Sequence, residues 1–433
     1  MASIKRRRGK YHVVYYYFNE CGEKKQKWES FNTEAEAKHR KAEIEYKQGN
    51  RTFISPNKTT VSAFLDDFVS LYGVKKWSPS TYEANTGLIR NYIAPLLGDA
   101  LMQDVTTIAA DRFITTLQRT KCPVFKNRYS KTEYMTPANI ERINKLLRCA
   151  FKQAVRWDIV AKNPFDNTTL PKVKRKPREI WDAATIRKAL DECKDGRLYV
   201  AINLSFACSL RIGEIVGLTW DNIHISDADI ANDNAYLCVE KELARVKESS
   251  LAVLGEEEII KKFPRTMYLE NASTVIVLKT PKTESSIRCI PMCPEVLAEL
   301  AGLIAILDTL YDTPSPTIDG YTDFIFRNRY GDLLNPHSLN RAIERIIRDY
   351  NAEELKLAEE DQRSPLLLPH FSVHSLRHTF CTRMFEVESN HKAIQTIMGH
   401  AEISTTLDIY AHITEDTLKK SVQHMSEKIK LFG

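Results

Sequence analysis

With 433 residues, 43% of them hydrophobic and 27% charged, the chain is too long for one ordinary core and sits among soluble globular proteins of two or three domains. No apolar run approaches the roughly 20 residues that span a bilayer, and "MASIKRRRGKYHVVYYYF" lacks a signal-peptide cleavage site, so a cytoplasmic chain with no membrane partner is expected. The net charge of +6 is uneven, with +7 in residues 1–60, +9 in 61–177 and −10 in the rest. A basic front half is the footprint of a polyanion binder, most often nucleic acid, although basic residues can also merely solubilise. The nine cysteines form no CxxC pair and only Cys289 and Cys293 lie close, so reduced, mostly buried thiols are expected rather than a disulfide framework or a zinc site.

Residues 1–55 read as a small unit. "KYHVVYYYFN" is aromatic and β-branched, "ECGEK" supplies a turn at Gly22, and "KQKWESF" returns as a strand. A helix then opens at Asn32/Thr33 with Glu36 behind it and closes at Gly49. Lys5, Arg6, Arg7, Arg8, Lys10, Lys24, Lys25 and Lys27 on two or three strands would make a ribbon fit for a DNA groove, with a basic solvated tail as the competing reading. After a polar linker, residues 60–170 carry four helical stretches, "VSAFLDDFVSLYG", "SPSTYEANTGLIRNYIAPLLG", "TTIAADRFITTLQRT" and "TPANIERINKLLRCAFKQAVRWDIV", each behind a Ser/Thr cap. A second linker, "NTTLPKVKRKPRE", marks a boundary and brings Lys172, Lys174, Arg175 and Lys176, which could also touch phosphate.

Residues 178–433 are mixed. "GRLYVAINLSFACSLRIGEIVGLTW" reads as helix, "AYLCVEKELARV" and "TVIVLKTPKTESSIRCIPM" as strands, and helices follow to the end. The acidic stretches "HISDADIANDN" and "DYNAEELKLAEEDQRS" read as insertions. Four motifs stand out here. Arg211 lies on an otherwise apolar helix in "CSLRIGEIVGLTWDNI", either tied to Glu214 or held for an anionic ligand. Lys282 falls in the turn between two strand-like runs, where an amine can reach inward from a hairpin tip, and Lys279 also precedes a threonine. His374 and Arg377 are i and i+3 on a predicted helix, while His374 and His378, i and i+4, lack the glutamate of a HExxH zinc site. In "MGHAEISTTLDIYAH", His400 follows Gly399 at a helix turn and Tyr410 comes ten positions later. A phenol has a pKa near 10, so only about a thousandth is ionised at neutral pH and Tyr410 needs helpers to act as a nucleophile.

R-I-G-E, K-T before R-x-I-P, H-S-L-R-H-T and G-H-x9-Y, in that order, resemble the tyrosine recombinase (phage integrase) family, and the layout is similar to the three-domain integrases of phages and conjugative transposons. The resemblance implies a multidomain α+β chain. It comprises a sheet-plus-helix arm-binding domain at 1–55, an all-α, SAM-like core-binding domain at 60–170, and a mainly α catalytic domain with a small antiparallel sheet and a tail helix at 178–433. It assigns Tyr410 as nucleophile, Arg211 and Arg377 as phosphate clamps, Lys282 as general acid, and His374 and His400 as the remaining active-site members. DNA would be cleaved and rejoined through a 3′-phosphotyrosine, and a mobile element integrated and excised through a Holliday junction. The implied partners are core and arm sites on double-stranded DNA, a tetramer on two duplexes, an excisionase and a host DNA-bending protein.

Elementary chemistry supports these assignments independently. Two guanidinium forks can neutralise a phosphodiester, a lysine can protonate the leaving 5′ oxygen, and a histidine can manage the tyrosine proton or hold the phosphate. The phosphotyrosyl bond conserves the energy of the broken linkage, so no cofactor is expected, and no P-loop or carboxylate metal cluster is visible. A type IB topoisomerase and a non-catalytic DNA-binding regulator are the alternatives. The stretch 221–278 reads as an extra β-insertion contacting DNA or a partner, or as a solvated acidic loop. Leu418, Val422, Met425, Ile429 and Leu431 in the tail have near-helical spacing, apt for docking on a neighbour or on the chain's own domain.

Overall fold

The computed structural model describes residues 2–18, 22–50, 53–122, 132–173, 181, 183–255, 258–264, 273–292, 324–328, 331–388 and 390–410, which form two compact units, Met1–Arg175 and Lys176–Gly433. Lys174, Arg175, Lys176 and the tail residues Leu418, Val422, Met425, Ile429 and Leu431 lie outside the described residues. No helix among the described residues is long and apolar enough to cross a membrane.

The first unit begins with an antiparallel sheet in the order β1 (Ser3–Arg7), β2 (Lys10–Phe18), β3 (Lys24–Phe31). The β1–β2 turn is two residues long, and both adopt positive φ, Arg8 at 49° and Gly9 at 76°, as the twist of a tight hairpin demands. Strand alternation then sends Val13 and Tyr15 to the face covered by α1 (Glu34–Gly49), where they meet Ala37 and Ile44. Thr33 and Glu36 close the expected capping box of α1. Glu29 ties β3 to the helix, accepting from Arg40 Nε at 2.8 Å and from the Tyr15 hydroxyl at 2.6 Å.

A second, all-helical core follows. It is built on α2 (Val61–Phe68), α3 (Pro79–Leu88), α4 (Thr107–Arg119) and α5 (Pro137–Arg156), around Phe64, Phe68, Phe151 and Phe165. The Thr60, Thr106 and Thr136 side chains cap three of these helices, as their sequence positions predict. Two π-helical turns, Val69–Gly73 and Ile89–Ile93, prolong α2 and α3 and had no visible signal in the apolar spacing.

The second unit packs α6 (Ala183–Asp191), α7 (Gly196–Ala207) and α8 (Ile212–Val216) with two three-stranded antiparallel sheets rather than one. One sheet has the order β4 (Ile223–His224), β5 (Tyr236–Val239), β9 (Arg288–Pro291), and the other the order β6 (Glu242–Lys247), β8 (Thr274–Lys279), β7 (Ile259–Lys262). Much of 221–278 is therefore β-structure, with α9 (Asp227–Ala231) and α10 (Glu248–Leu254) beside it. Helices α11 (Pro336–Glu360), α12 (Val373–Val387), α13 (His391–Met398) and α14 (Ile403–Tyr410) complete the unit. Residues 349–360, read from their acidity as an insertion, are the last turns of α11, and Glu354 there is paired with Arg363 at 2.6 Å.

Three expectations are corrected. The continuous helix expected over 196–220 breaks at Ser209, which has φ 54°, so Arg211 is the N-cap residue of α8 and not a mid-helix residue. The strands on either side of Lys282 do not pair as a hairpin, because β8 bonds to β6 and β7 while β9 bonds to β5. The thiols are not all reduced, since Cys238 and Cys289, directly opposite in the β5–β9 register, form a disulfide across 51 residues of sequence. Spacing along the chain cannot reveal a pair that only strand register brings together.

The placement of α8 depends on two small residues facing the β6 backbone. A Cβ on Gly213 would stand 2.9 Å from the Leu243 carbonyl oxygen, and one on Gly217 2.9 Å from the Leu243 nitrogen. Gly217→Ala should therefore cost about 1–3 kcal/mol through forced movement of helix or strand, lowering the thermal unfolding midpoint by several degrees. An unchanged midpoint would show that β6 does not confine α8.

Candidate active site

The site forms where α13 ends. The last carbonyls of a helix lack intrahelical donors and carry the negative end of its dipole. Here three successive ones each receive a guanidinium: Ile397 O from Arg288 Nε at 2.7 Å, Met398 O from Arg377 Nη2, and Gly399 O from Arg211 Nη2 at 2.8 Å. The three arginines come from different segments, Arg211 at the start of α8, Arg288 on β9 and Arg377 on α12. Gly399 has φ 60°, and a Cβ there would stand 3.0 Å from both Arg288 Nη1 and the Ser285 carbonyl oxygen, so the turn admits little but glycine.

One carboxylate lies among these charges. Glu214 is fully buried on α8 and accepts from the Arg211 backbone N–H at 2.8 Å, from Arg211 Nη1 at 2.6 Å, and from Arg288 through Nη1 at 3.2 Å and Nη2 at 3.0 Å. Burial alone would raise its carboxyl, but Arg288 and Arg211 outweigh that and hold it at about 2. Arg377 is 1% exposed and donates to the carbonyls of Ser209 and Met398. Burial, followed by the nearby Arg211, pulls it down to about 9, and it remains a cation at neutral pH. Three guanidinium groups against one carboxylate leave a local excess of positive charge. The Arg211 side chain, 31% exposed, is its most accessible part.

His400 follows directly. Its Nδ1 lies 2.9 Å from the Thr406 hydroxyl on α14, and its carbonyl accepts from Gln395 Nε2 at 2.9 Å. Burial first, then the charges of Arg377, Arg211, Arg288 and His374, push the ring down to about 4, so it is neutral at pH 7. His374, near the start of α12, is exposed where Arg377 one turn on is buried, and its ring meets His378 edge-on at 4.3 Å. Tyr410 is the last residue of α14, and its side chain lies outside the described residues.

Lys282 lies in the turn after β8 and is exposed, with no hydrogen bond or ion pair among the described residues. Lys279, the competing lysine, is held by Glu242 at 2.6 Å. The Lys282 turn is linked to the arginines: Thr283 Oγ1 lies 2.9 Å from Ser286 Oγ, which accepts from Arg211 Nη1 at 3.3 Å, while the Ser286 carbonyl accepts from Arg288 Nη1 at 2.9 Å. Arg211, Arg377, His374 and His400 are thus brought together and Lys282 is attached through its loop. Arg288 was not among the expected site residues. Its one sequence signal was its place in the R-x-I-P stretch that served only to choose Lys282.

In the first unit the predicted basic residues separate by strand alternation. Lys5, Arg7, Lys10 and Lys24 share the open face of the sheet with Tyr16, Phe18 and Trp28, with Lys5 5.2 Å above the Trp28 ring and Lys24 4.7 Å above Tyr16. Arg6, Lys25 and Lys27 alternate to the other face, Lys25 pairing with Glu23 at 2.9 Å, and Arg8 sits in the turn. Lys172 is exposed.

Comparison with known proteins agrees in three places. Residues 270–417 match the phage integrase family, 3–48 an arm DNA-binding domain, and 60–118 the N-terminal SAM-like domain of phage integrases. The transposase of transposon Tn916 from Enterococcus faecalis is 29% identical over 297 residues, 67% of this chain and 62% of that protein, so the chain matches less than two thirds of that relative's length. A XerC-like tyrosine recombinase from Caldanaerobacter subterraneus is 23% identical over 91% of this chain and 89% of its own. A fragment of the Tn1549 transposon integrase, solved with circular intermediate DNA, shares the fold with a TM-score of 0.60 at 22% identity, covering 84% of this chain and 99% of the fragment. The chain belongs to the phage integrase family, the tyrosine recombinases.

Proposed function

We propose that the chain is a site-specific DNA recombinase that cleaves and rejoins DNA through a 3′-phosphotyrosine. The observation that carries this reading is the excess of guanidinium over carboxylate at the end of α13, beside the helix that ends in Tyr410. Buried cations in excess of their partners are costly, and an anion that neutralises them removes part of that cost. A phosphodiester is such an anion, and its non-bridging oxygens suit the fork of Arg211 and the inner charge of Arg377.

In the proposed reaction the Tyr410 oxygen attacks the scissile phosphorus, forming the phosphotyrosyl bond as the bond to the 5′ oxygen breaks. The departing oxygen takes a proton from Lys282, whose exposed amine can move, and the phenolic proton passes to a base of the site. Neutral His400, fixed through Nδ1 by Thr406, keeps Nε2 for the phosphate or for that proton, with His374 beside it. A 5′ hydroxyl from the partner strand then attacks the phosphotyrosine, returning the proton to Lys282 and the phenol to Tyr410. No net bond energy is spent, so no nucleotide cofactor is required.

The remaining assignments follow from this reading and the family. Residues 1–55 would bind arm sites, 60–170 core sites, and 178–433 carry the chemistry, four protomers acting on two duplexes. An excisionase and a host DNA-bending protein would set direction, and a conjugative transposon is the favoured source. Lys172, Lys174, Arg175 and Lys176, on the linker in the sequence before the last domain, would touch phosphate.

The direct test uses a nicked suicide duplex bearing a site that the protein selects from a random-sequence pool. Wild type should form a covalent adduct and Tyr410→Phe none. Lys282→Ala should fall about 100-fold, with recovery when the 5′ bridging oxygen is replaced by sulfur, a leaving group that needs no proton. An adduct from Tyr410→Phe sinks the nucleophile assignment, none from wild type favours a regulator, and relaxation without strand exchange favours a topoisomerase.

His400 gives a pH test. Its folded-state value of about 4 lies below the unfolded value near 6.5, so between those values the unfolded chain holds a proton that the folded chain refuses. Stability should decline as pH falls through that window. His400→Gln should lose less stability than wild type between pH 7 and pH 5 in urea unfolding, and equal losses would mean an ordinary ring.

For the arm sheet, Lys5→Ala and Lys24→Ala should each weaken duplex binding by residues 1–55 and lower its logarithmic salt slope by about 1, whereas Lys25→Ala changes neither. An equal effect of all three would remove the distinction between the two faces.

A further inference from the structure

We infer that Arg288 is a positioning residue of the active site, a buried guanidinium that holds Arg211, the α13 turn and the Lys282 loop in one arrangement without touching DNA. This rests on the recombinase reading above and adds to it a residue outside the six assigned roles.

Accessibility comes first. The Arg288 side chain is 3% exposed, so a bound duplex cannot reach it. Its donors are nevertheless fully committed, and each goes to a support of a proposed catalytic group. Nη1 and Nη2 bind the two oxygens of Glu214 at 3.2 and 3.0 Å, and Glu214 in turn holds both the backbone N–H and the Nη1 of Arg211. Nε donates to Ile397 O at 2.7 Å, three residues before His400. Nη1 also donates to Ser286 O at 2.9 Å, in the segment whose Ser286 hydroxyl reaches Arg211 and whose Thr283 adjoins Lys282. Nη2 reaches Ser209 O at 3.5 Å, the carbonyl that also accepts from Arg377.

Only a planar fork with five donors can serve four such acceptor groups at once. A lysine would supply the charge that Glu214 needs, but its single ammonium could not also bridge Ile397, Ser286 and Ser209. The close approach of Gly399 to Arg288 Nη1 makes the arrangement mutual, because the turn leading to His400 is shaped to the guanidinium. Loss of the fork should therefore let Arg211 and the His400 turn drift. A displacement on the order of 1 Å in such groups costs about 100-fold in rate.

The test uses the full chain, with Arg288→Lys, Arg288→Met and the double variant Glu214→Leu/Arg288→Met. The double variant removes both buried charges together and so avoids an uncompensated carboxylate if Arg288→Met fails to fold. Unfolding midpoint, affinity for the selected duplex and adduct-forming rate at saturating DNA are measured for each. Arg288→Lys should keep its midpoint within a few degrees and its affinity within about threefold, yet form adduct about 30-fold more slowly, and the double variant should fold and form adduct at least about 100-fold more slowly. A scaffold role alone would lower the midpoint and leave the rate per folded molecule unchanged. Either folded variant cleaving at the wild-type rate overturns the assignment, whereas absence of adduct from wild type overturns the recombinase reading.

Discussion

The arrangement depends on the carboxyl end of α13, where three consecutive carbonyls each take an arginine from a different segment. A short helix end is a weak acceptor for any single cation, worth well under 2 kcal/mol in most settings. Three cations sharing it are another matter, because each also repels the others across a poorly solvated space. Glu214 makes the cluster tolerable by accepting from two of the three, and the strength of that hold is visible in a carboxyl that stays ionised although fully buried. Without Glu214 the helix end would be left with three largely uncompensated cations; without the arginines, Glu214 would be a buried charge costing several kcal/mol. The fold thus keeps an excess of two positive charges at this helix end, which a singly charged phosphodiester would reduce to one.

The same cluster helps to keep His400 neutral beside so much chemistry. Burial of the ring is the larger cause, and the cations that share its pocket add to it by disfavouring a further charge. A histidine that stays uncharged at pH 7 can accept or donate a hydrogen bond without adding to the repulsion. Arg211, partly exposed, offers charge outward, whereas Arg377 and Arg288 stabilise from within. The division of roles among three identical side chains follows from exposure and partner, not from residue type.

Much of this was legible in the sequence, for reasons that can be named. Thr33 with Glu36, and the threonines at 60, 106 and 136, marked helix starts because their side chains have only one favourable task there. The order of Arg211, Lys282, His374, Arg377, His400 and Tyr410 was readable as a pattern of residue types. Three features were not. The break at Ser209 was hidden because serine carries no glycine signal, and a non-glycine residue enters the left-handed region only when tertiary bonds repay about 1–2 kcal/mol. The two sheets and the Cys238–Cys289 pair depend on register between strands far apart in the chain. Arg288 was passed over because a buried arginine in a strand looks like any other basic residue until its partners are known.

The two breaks matter more than the helices they interrupt. An uninterrupted helix across Ser209 would bond its carbonyl to the amide four residues on, leaving nothing for Arg377 or Arg288 to hold; with the break, that oxygen serves both guanidinium groups. At Gly399 the helix stops for the complementary reason, since the turn has φ 60° and a Cβ there would crowd Arg288, which donates to Ile397 O, at 3.0 Å from Nη1. Each break therefore exposes backbone acceptors where arginines from elsewhere converge, and each lies within two residues of a group that faces the site, Arg211 in one case and His400 in the other. The motif residues name the chemistry, and the irregular backbone beside them determines where they meet.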